Sequence, residues 1–100
     1  MKNEKDNFDI LRKLVSNPKL SQRELSKELG LSLGKVNYCL KELKKKGLIK
    51  LNNFQKNPNK LNYLYLLTPK GIAYKTKVTL NFMKQKLKEY DELKSELKDK

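Results

Sequence analysis

The sequence lacks the residues on which most catalytic and metal sites depend. It has no histidine and no tryptophan, and its one cysteine, Cys39, excludes an internal disulfide. Without histidine or a second cysteine, no plausible zinc site remains. No paired carboxylates, no nucleophile beside a base and no phosphate-binding glycine loop is recognisable. We therefore expect no enzymatic activity, no metal and no cofactor.

Long apolar runs are also missing. No stretch of about 18 apolar residues is present, and residues 1–5 lack the apolar segment of a signal peptide. We therefore expect no membrane partner and a location in the cytoplasm, at the nucleoid. A chain of 100 residues, 37% of them hydrophobic, fits one compact domain.

Acidic residues are absent from the middle of the chain. Segment 43–88 contains twelve lysines and no aspartate or glutamate, and the whole chain has a net charge of +13. The alternative is that proteins encoded by an AT-rich genome are rich in lysine and so have basic surfaces without a function. Here, however, the acids are confined to the two ends and to positions 24, 28 and 42. Because each neutralised phosphate releases condensed counterions, this pattern predicts a nucleic-acid partner.

Capping signals predict three short helices. The first runs from about residue 7 to 16, with an inward stripe of Phe8, Leu11 and Val15 broadened by Ile10 and Leu14. Ser21 and Glu24 form a capping box for the second helix, which ends at Gly30. Ser32 caps the third, which ends at Gly47. Two capped helices joined by a tight glycine turn are typical of a helix-turn-helix.

The pattern changes after Gly47. Segments 48–54 and 61–67 are apolar and aromatic, with a polar turn at 55–60, and they predict a β-hairpin whose inward face is left open. Thr68 and Pro69 then begin a helix that extends to about Leu97. The predicted fold class is mainly α with a small β-hairpin (α+β): a winged helix-turn-helix domain over 7–68 and a long C-terminal helix over 69–98.

This last helix has an apolar stripe at helical spacing, composed of Thr76, Leu80, Met83, Leu87, Tyr90, Leu93 and Leu97. A helix of nearly 30 residues cannot bury that stripe against so small a body, so its distal half needs another chain. We expect a homodimer with coiled-coil-like pairing of this helix. The alternative is a solvated helix that frays after about Lys88.

The outward face of the third helix is the predicted base-reading surface. Asparagine can pair with adenine, lysine donates to guanine, and tyrosine offers its ring to a thymine methyl group. A glycine in the first turn lets the backbone approach DNA. The candidates are Ser32, Gly34, Lys35, Asn37, Tyr38, Lys41 and Lys45. A merely solvated face is the alternative.

Two further sets are predicted to contact the DNA backbone. Ser21, Gln22 and Arg23 begin a helix and would hold a phosphate, unless they only form a good cap. The wing residues Lys56, Asn57, Asn59 and Lys60 would reach a minor groove or its phosphates, unless they only make a soluble loop. Cys39 falls on the inward side of the third helix, which favours a core residue over a redox sensor.

The run from Gln22 to Lys41, QRELSKELGLSLGKVNYCLK, matches a helix-turn-helix pattern, and with the wing and LTPKG at 67–71 the chain resembles the winged-helix MarR family. Its segments SLGKVNYCLKEL and KLNYLYLLTPKG and its tail over 80–97 are similar to small MarR-type regulators associated with exopolysaccharide biosynthesis genes. The resemblance, which covers the chain from Leu11 onward, implies a transcriptional regulator of such genes. Larger MarR proteins dimerise through helices at both ends and bind effectors there. Since few residues precede the first helix here, we expect a dimer held by the last helix, and no small-molecule effector.

Together these features predict a sequence-specific double-stranded DNA-binding regulator that acts as a homodimer, with the third helix in the major groove. One alternative is a winged helix that docks on a protein, against which the lysines argue. Another is non-specific coating of DNA or RNA, which exposed Tyr63 or Tyr65 rings would favour. The salt dependence of binding, and competition between specific and non-specific nucleic acids, would distinguish these interpretations.

Overall fold

The computed structural model describes residues 3–57 and 60–98. Within them, four helices and one hairpin follow in the order α1 (Glu4–Ser16), α2 (Gln22–Leu29), α3 (Leu33–Lys45), β1 (Ile49–Asn57), β2 (Lys60–Leu67) and α4 (Pro69–Lys98). The two strands pair antiparallel. The predicted fold class is confirmed, since the chain is mainly helical, with one hairpin and a long C-terminal helix.

Helix α1 ends at Ser16 as predicted, but its start and one of its inward residues differ from the prediction. It begins at Glu4 rather than at Asn7, because Glu4 supplies a carboxylate that favours a helix N-terminus. The inward placement predicted for Val15 is wrong: this side chain is 55% exposed. It lies at the end of α1 beside an open cleft lined by Leu66 and Ile72. The residues that α1 does bury are Asn7, Phe8, Ile10, Leu11 and Leu14.

Helices α2 and α3 begin and end as predicted. The Ser21 hydroxyl accepts from the Glu24 N–H at 3.1 Å, and the Glu24 carboxylate accepts from the Ser21 N–H at 3.0 Å, which completes the capping box. Gly30 has a φ of 67°, in the left-handed region that glycine adopts at little cost. The Ser32 hydroxyl accepts from the Lys35 N–H at 3.1 Å. The tight turn between two capped helices is therefore confirmed.

The hydrophobic core lies where α1, α2, α3 and the start of β1 meet. Helix α3 contributes four side chains that are at most 3% exposed: Val36, Cys39, Leu40 and Leu43. Leu25 of α2 and Leu48 after α3 complete the same cluster. The inward placement of Cys39 is confirmed, and burial raises the pKa of its thiol. A raised pKa disfavours the reactive thiolate, as expected for a core cysteine.

The hairpin is longer than predicted. Its strands reach Asn57 and begin again at Lys60, so they extend into the polar segment assigned to the turn. A two-stranded ribbon exposed on one side needs no apolar residues to continue its hydrogen-bond ladder, so hydropathy underestimates its length. Tyr65 and Leu67 pack against the core, which settles the hairpin face that the sequence leaves open.

Helix α4 starts at a point where three elements meet. The Thr68 hydroxyl donates to the Gly47 carbonyl at 2.6 Å and accepts from the Gly71 N–H at 3.0 Å. The Thr68 N–H donates to the Leu48 carbonyl at 3.0 Å. A Cβ atom on Gly71 would stand 1.9 Å from the Leu48 carbonyl oxygen, so only glycine fits. We call Gly47, Leu48, Thr68 and Gly71 the junction; it ties the start of α4 to the end of α3.

The two halves of α4 have different surroundings. In the first half, Val78 is buried and the Phe82 ring packs against Phe8 of α1, with the ring planes tilted by 45° and 5.2 Å between centroids. From Leu80 onward, a row of apolar side chains faces outward. With Thr76 they form the α4 stripe, whose apolar members are 51–76% exposed: Leu80, Met83, Leu87, Tyr90, Leu93 and Leu97.

Candidate nucleic-acid interface

The outward face of α3 presents every residue predicted to read DNA. Five of them are exposed: Ser32, Gly34, Tyr38, Lys41 and Lys45. Lys35 and Asn37 are half-buried at its edges. Because the core-facing residues of α3 are almost fully buried, this face is well separated from the core. Their role in binding DNA stays a prediction.

Gly34 occupies open space in the first turn of α3. A Cβ atom placed there would meet nothing within 4 Å, and its backbone is not in the left-handed region. The fold therefore does not require glycine at this position. What glycine provides is a bare backbone on the predicted DNA-facing surface.

Lys35 differs from the other lysines of this face because its side chain reaches back to α1. Its ammonium nitrogen lies 3.7 Å from the Asp6 carboxylate and hydrogen-bonds the Asn3 side chain. It also lies 5.9 Å from the centroid of the Tyr38 ring. Lys35 thus connects the start of α1 to α3, while Lys41 and Lys45 extend from the exposed side.

Sequence reasoning missed a polar link behind Tyr38. The Tyr38 hydroxyl donates to Glu42 at 3.4 Å, and the Asn7 amide donates to the other carboxylate oxygen at 2.8 Å. Asn7 is only 3% exposed, and its Oδ1 atom has no partner among the described residues. The hydrogen bond from Asn7, and then the charge of Lys46, hold the pKa of Glu42 below its usual range.

Through Glu42, a buried amide of α1 is thus connected to an exposed ring of α3. The one available sequence signal is that Glu42 is the single acidic residue of α3, immediately before the acid-free segment. That signal identifies an unusual charge, but it does not reveal the partner, because Asn7 lies 35 positions away in sequence.

The start of α2 combines a cap with an exposed cation. The Ser21 hydroxyl is used by the capping box, and the Ser21 N–H, which donates to the Glu24 carboxylate, lowers the pKa of Glu24. The Gln22 amide donates to the Tyr65 hydroxyl at 3.3 Å, so it joins α2 to the hairpin. Arg23 is exposed, and no ion pair to it is found within residues 3–57 and 60–98. Of the three predicted phosphate contacts, Arg23 has the freest side chain.

The predicted wing contacts fall at the far end of the hairpin. Lys56 and Asn57 are the last positions of β1, and Lys60 is the first of β2. Asn59 lies outside the described residues. The backbone therefore places the wing beyond the core, where its residues stay predicted DNA contacts.

In the described part of the chain, no helix has an apolar stretch of the length needed to cross a membrane.

Comparisons with known proteins agree with this geometry. Residues 7–50 match a family model described as winged helix-turn-helix DNA-binding. A search of curated protein sequences gives no significant match.

Solved structures of MarR regulators share the fold. One MarR family transcription regulator is 28% identical, with a TM-score of 0.68, over 86% of this chain and 55% of its own. ZitR of Lactococcus lactis, in apo form, is 22% identical over 95% of this chain and 69% of its own, with a TM-score of 0.71. PcaV of Streptomyces coelicolor, in complex with its natural ligand, is 20% identical over 79% of this chain and 55% of its own, with a TM-score of 0.68.

The chain therefore spans about half the length of two of these three proteins. The likeness extends past the helix-turn-helix to the wing and to the long last helix. Residues 7–50 are thus similar to a winged helix-turn-helix DNA-binding family, within a chain that has the fold of MarR regulators.

Proposed function

We propose that this protein is a transcriptional regulator that binds double-stranded DNA with α3 in the major groove. The observation that carries the proposal is the outward face of α3, where Tyr38 and Lys41 offer a ring and donors on the side opposite the core and Asn37 adds an amide at the edge. These side chains suit the base edges of the major groove. The match of residues 7–50 to a DNA-binding family model supports it.

Residues 7–68 would bind the DNA, with Arg23 and the wing on its backbone, and residues 69–98 would hold two copies together. The exposed α4 stripe supports a homodimer, because an apolar face of this length is rarely left in water. A dimer binds a palindromic site whose half-sites are about one helical turn apart.

The target genes follow from the resemblance stated above. The regulated genes would be those of exopolysaccharide or surface-polysaccharide biosynthesis, and the protein would act in the cytoplasm at the nucleoid. The absence of a small-molecule effector stays a prediction. PcaV, which was solved with its natural ligand, is a protein of this fold that binds a ligand.

Fluorescence anisotropy tests the proposal. The protein is titrated onto duplex DNA from upstream of its own operon and onto a scrambled duplex of equal length, at near-physiological salt. We expect discrimination of about a thousandfold. Equal and steeply salt-dependent binding to both duplexes would instead indicate a coating protein, and no binding to either would indicate a protein partner.

A pair of variants assigns the binding to α3. Asn37→Ala should relax discrimination by the about 1–3 kcal/mol expected for one lost base contact. Lys98→Ala is the matched control, because it removes a polar side chain and a charge at the far end of α4. If both variants bind like the wild type, α3 does not read the bases.

A further inference from the structure

An open groove lies between α1 and the first half of α4. Its floor is aromatic and apolar, formed by Phe8, Phe82 and Met83, and Thr79 and Lys86 lie along its α4 side. The Arg12 guanidinium lies 5.8 Å from the centroid of the Phe8 ring and adds a cation to its rim. The groove therefore suits an apolar side chain on a segment that is itself acidic.

Six of the seven residues of the α4 stripe form three pairs that lie symmetrically about one point of the helix. Residues 76 and 97, 80 and 93, and 83 and 90 are equidistant from a point between Lys86 and Leu87. An antiparallel copy of α4 would thus place Thr76 on the partner's Leu97, Leu80 on the partner's Leu93 and Met83 on the partner's Tyr90. Leu87 would meet its own counterpart near the twofold axis.

Leu93 departs from the stripe in an informative direction. Continued four-and-three spacing would place Lys94 in the stripe, but the apolar residue is one position earlier. Leu93 follows Thr79 and Lys86 at intervals of seven, so it lies on the side of α4 that borders the groove. In an antiparallel pair these sides face each other, whereas in a parallel pair Leu93 would face the opposite, lysine-bearing flank.

Charge along α4 also distinguishes the two orientations. Segment 70–88 has six lysines and no acid, whereas segment 89–98 has four acids and two lysines. Parallel pairing would set the two lysine-rich segments side by side, at a Coulombic cost that salt only partly screens. Antiparallel pairing sets each against the partner's acidic segment. In that register Asp91 lies beside the partner's Lys84.

From these observations we propose that α4 pairs antiparallel with α4 of a second copy, and that Leu93 of each copy enters the partner's groove between α1 and α4. The proposal rests on the homodimer proposed above and specifies its orientation and register. The groove is incomplete without the partner, which supplies both its apolar occupant and the acids that oppose its cationic rim.

The register agrees with the spacing of DNA half-sites. The folded body packs on α4 through Gly71, Val78 and Phe82, centred about ten residues from the twofold axis. At 1.5 Å per residue, the two bodies are about 30 Å apart along the pair. Half-sites one turn apart on B-DNA are separated by about 34–36 Å.

Introduced cysteines report the orientation without DNA. The wild-type chain is the control, because Cys39 is buried and its thiol pKa is raised. Under mild oxidation, the double variant Thr76→Cys/Leu97→Cys should form a covalent dimer, while Thr76→Cys and Leu97→Cys alone should not. Leu87→Cys, at the axis, should cross-link in either orientation. Cross-linking of Leu97→Cys alone would overturn the proposal, as would a dimer in which only Leu87→Cys reacts.

A charge exchange tests the register independently. Asp91→Lys should raise the dimer dissociation constant at least about tenfold at low salt by placing a lysine beside the partner's Lys84. Adding Lys84→Asp to the same chain should restore the wild-type value. Glu92→Lys is the matched control, since it makes the same charge change on the far side of α4. Failure of the double exchange to restore dimerisation would overturn the antiparallel register.

These experiments separate the orientation from the function. Sedimentation and cross-linking use the full chain alone, whereas anisotropy measures DNA discrimination. A dimer of the wrong orientation that still discriminates between duplexes would overturn only the inference. A correctly paired dimer that fails to bind DNA would overturn only the proposed function.

Discussion

Leucines in α3 and in α4 follow the same helical spacing but have opposite surroundings. Leu40 and Leu43 are 3% and 0% exposed, whereas Leu87 and Leu93 are both 61% exposed. Helix α3 is surrounded by α1, α2 and β1, while Leu87 and Leu93 follow the Phe8–Phe82 contact between α1 and α4 in the sequence. Spacing therefore shows which side of a helix is apolar, but not which element covers it. For α3 that element lies inside the chain, and for α4 we propose that it is a second copy.

The largest effect should come from a change that breaks the folded body. Gly71→Ala places a methyl group on the Leu48 carbonyl, so the junction has to open. We expect the free energy of unfolding to fall by at least about 3 kcal/mol, measured by urea denaturation followed by circular dichroism. Wild-type stability in this variant would mean that α4 is not fixed at the junction.

The next effect should be confined to the distal half of α4. Leu87→Asp adds a charge to the α4 stripe and should raise the dimer dissociation constant about a hundredfold, or about 2.7 kcal/mol, while the body stays folded. Sedimentation gives the dissociation constant, and circular dichroism reports the fold. Lys88→Asp, on the far side of the helix, is the control. If the two variants dimerise equally, the stripe is not the interface.

A smaller effect should come from the polar link between α1 and α3. Asn7→Ala removes the amide that donates to Glu42 and should cost about 1 kcal/mol. In the wild type, the folded-state pKa of Glu42 lies below its ordinary value of 4.5, so the stability it adds is present above that pH and lost as pH falls.

In Asn7→Ala the pKa of Glu42 should return toward its ordinary value. The loss of stability on acidification below about pH 4.5 should therefore become shallower than in the wild type. Denaturation at a series of pH values measures this slope. Asn81→Ala, an exposed amide of α4, is the control, and identical slopes in all three proteins would show that Asn7 does not hold the Glu42 carboxylate.

The smallest effect should run in opposite directions for folding and for binding. Gly34→Ala should stabilise α3 by up to about 1 kcal/mol, because alanine favours a helix and the position is open. The added methyl group should nevertheless weaken DNA binding several-fold by keeping the backbone away from the groove. Denaturation and anisotropy on the same preparation measure both, and unchanged affinity would place the first turn of α3 away from DNA.

Local signals made most of the body predictable. The capping box at Ser21, the turn at Gly30 and the cap at Ser32 depend on residues a few positions apart, and all three are confirmed. The contacts that were missed join distant segments. Val15 is exposed because the hairpin and α4 leave an open cleft beside it. Asn7 contacts Glu42 only because α1 packs on α3.

In the candidate interface, too, local features were predicted and contacts between distant segments were missed. Periodicity predicted which α3 side chains leave the core, and the structure places Tyr38 and Lys41 outside it. It could not predict that Lys35 turns back to Asp6 or that Gln22 joins the hairpin through Tyr65. These contacts depend on the tertiary arrangement, which one sequence pattern does not encode.

The junction has a mechanical consequence. Thr68 bonds to Gly47 at the end of α3 on one side and to Gly71 at the start of α4 on the other. These hydrogen bonds fix the start of α4 to the end of α3, so we expect the two helices to move together. In the proposed dimer, a small change in the crossing angle of the two α4 helices would therefore change the distance between the two α3 helices.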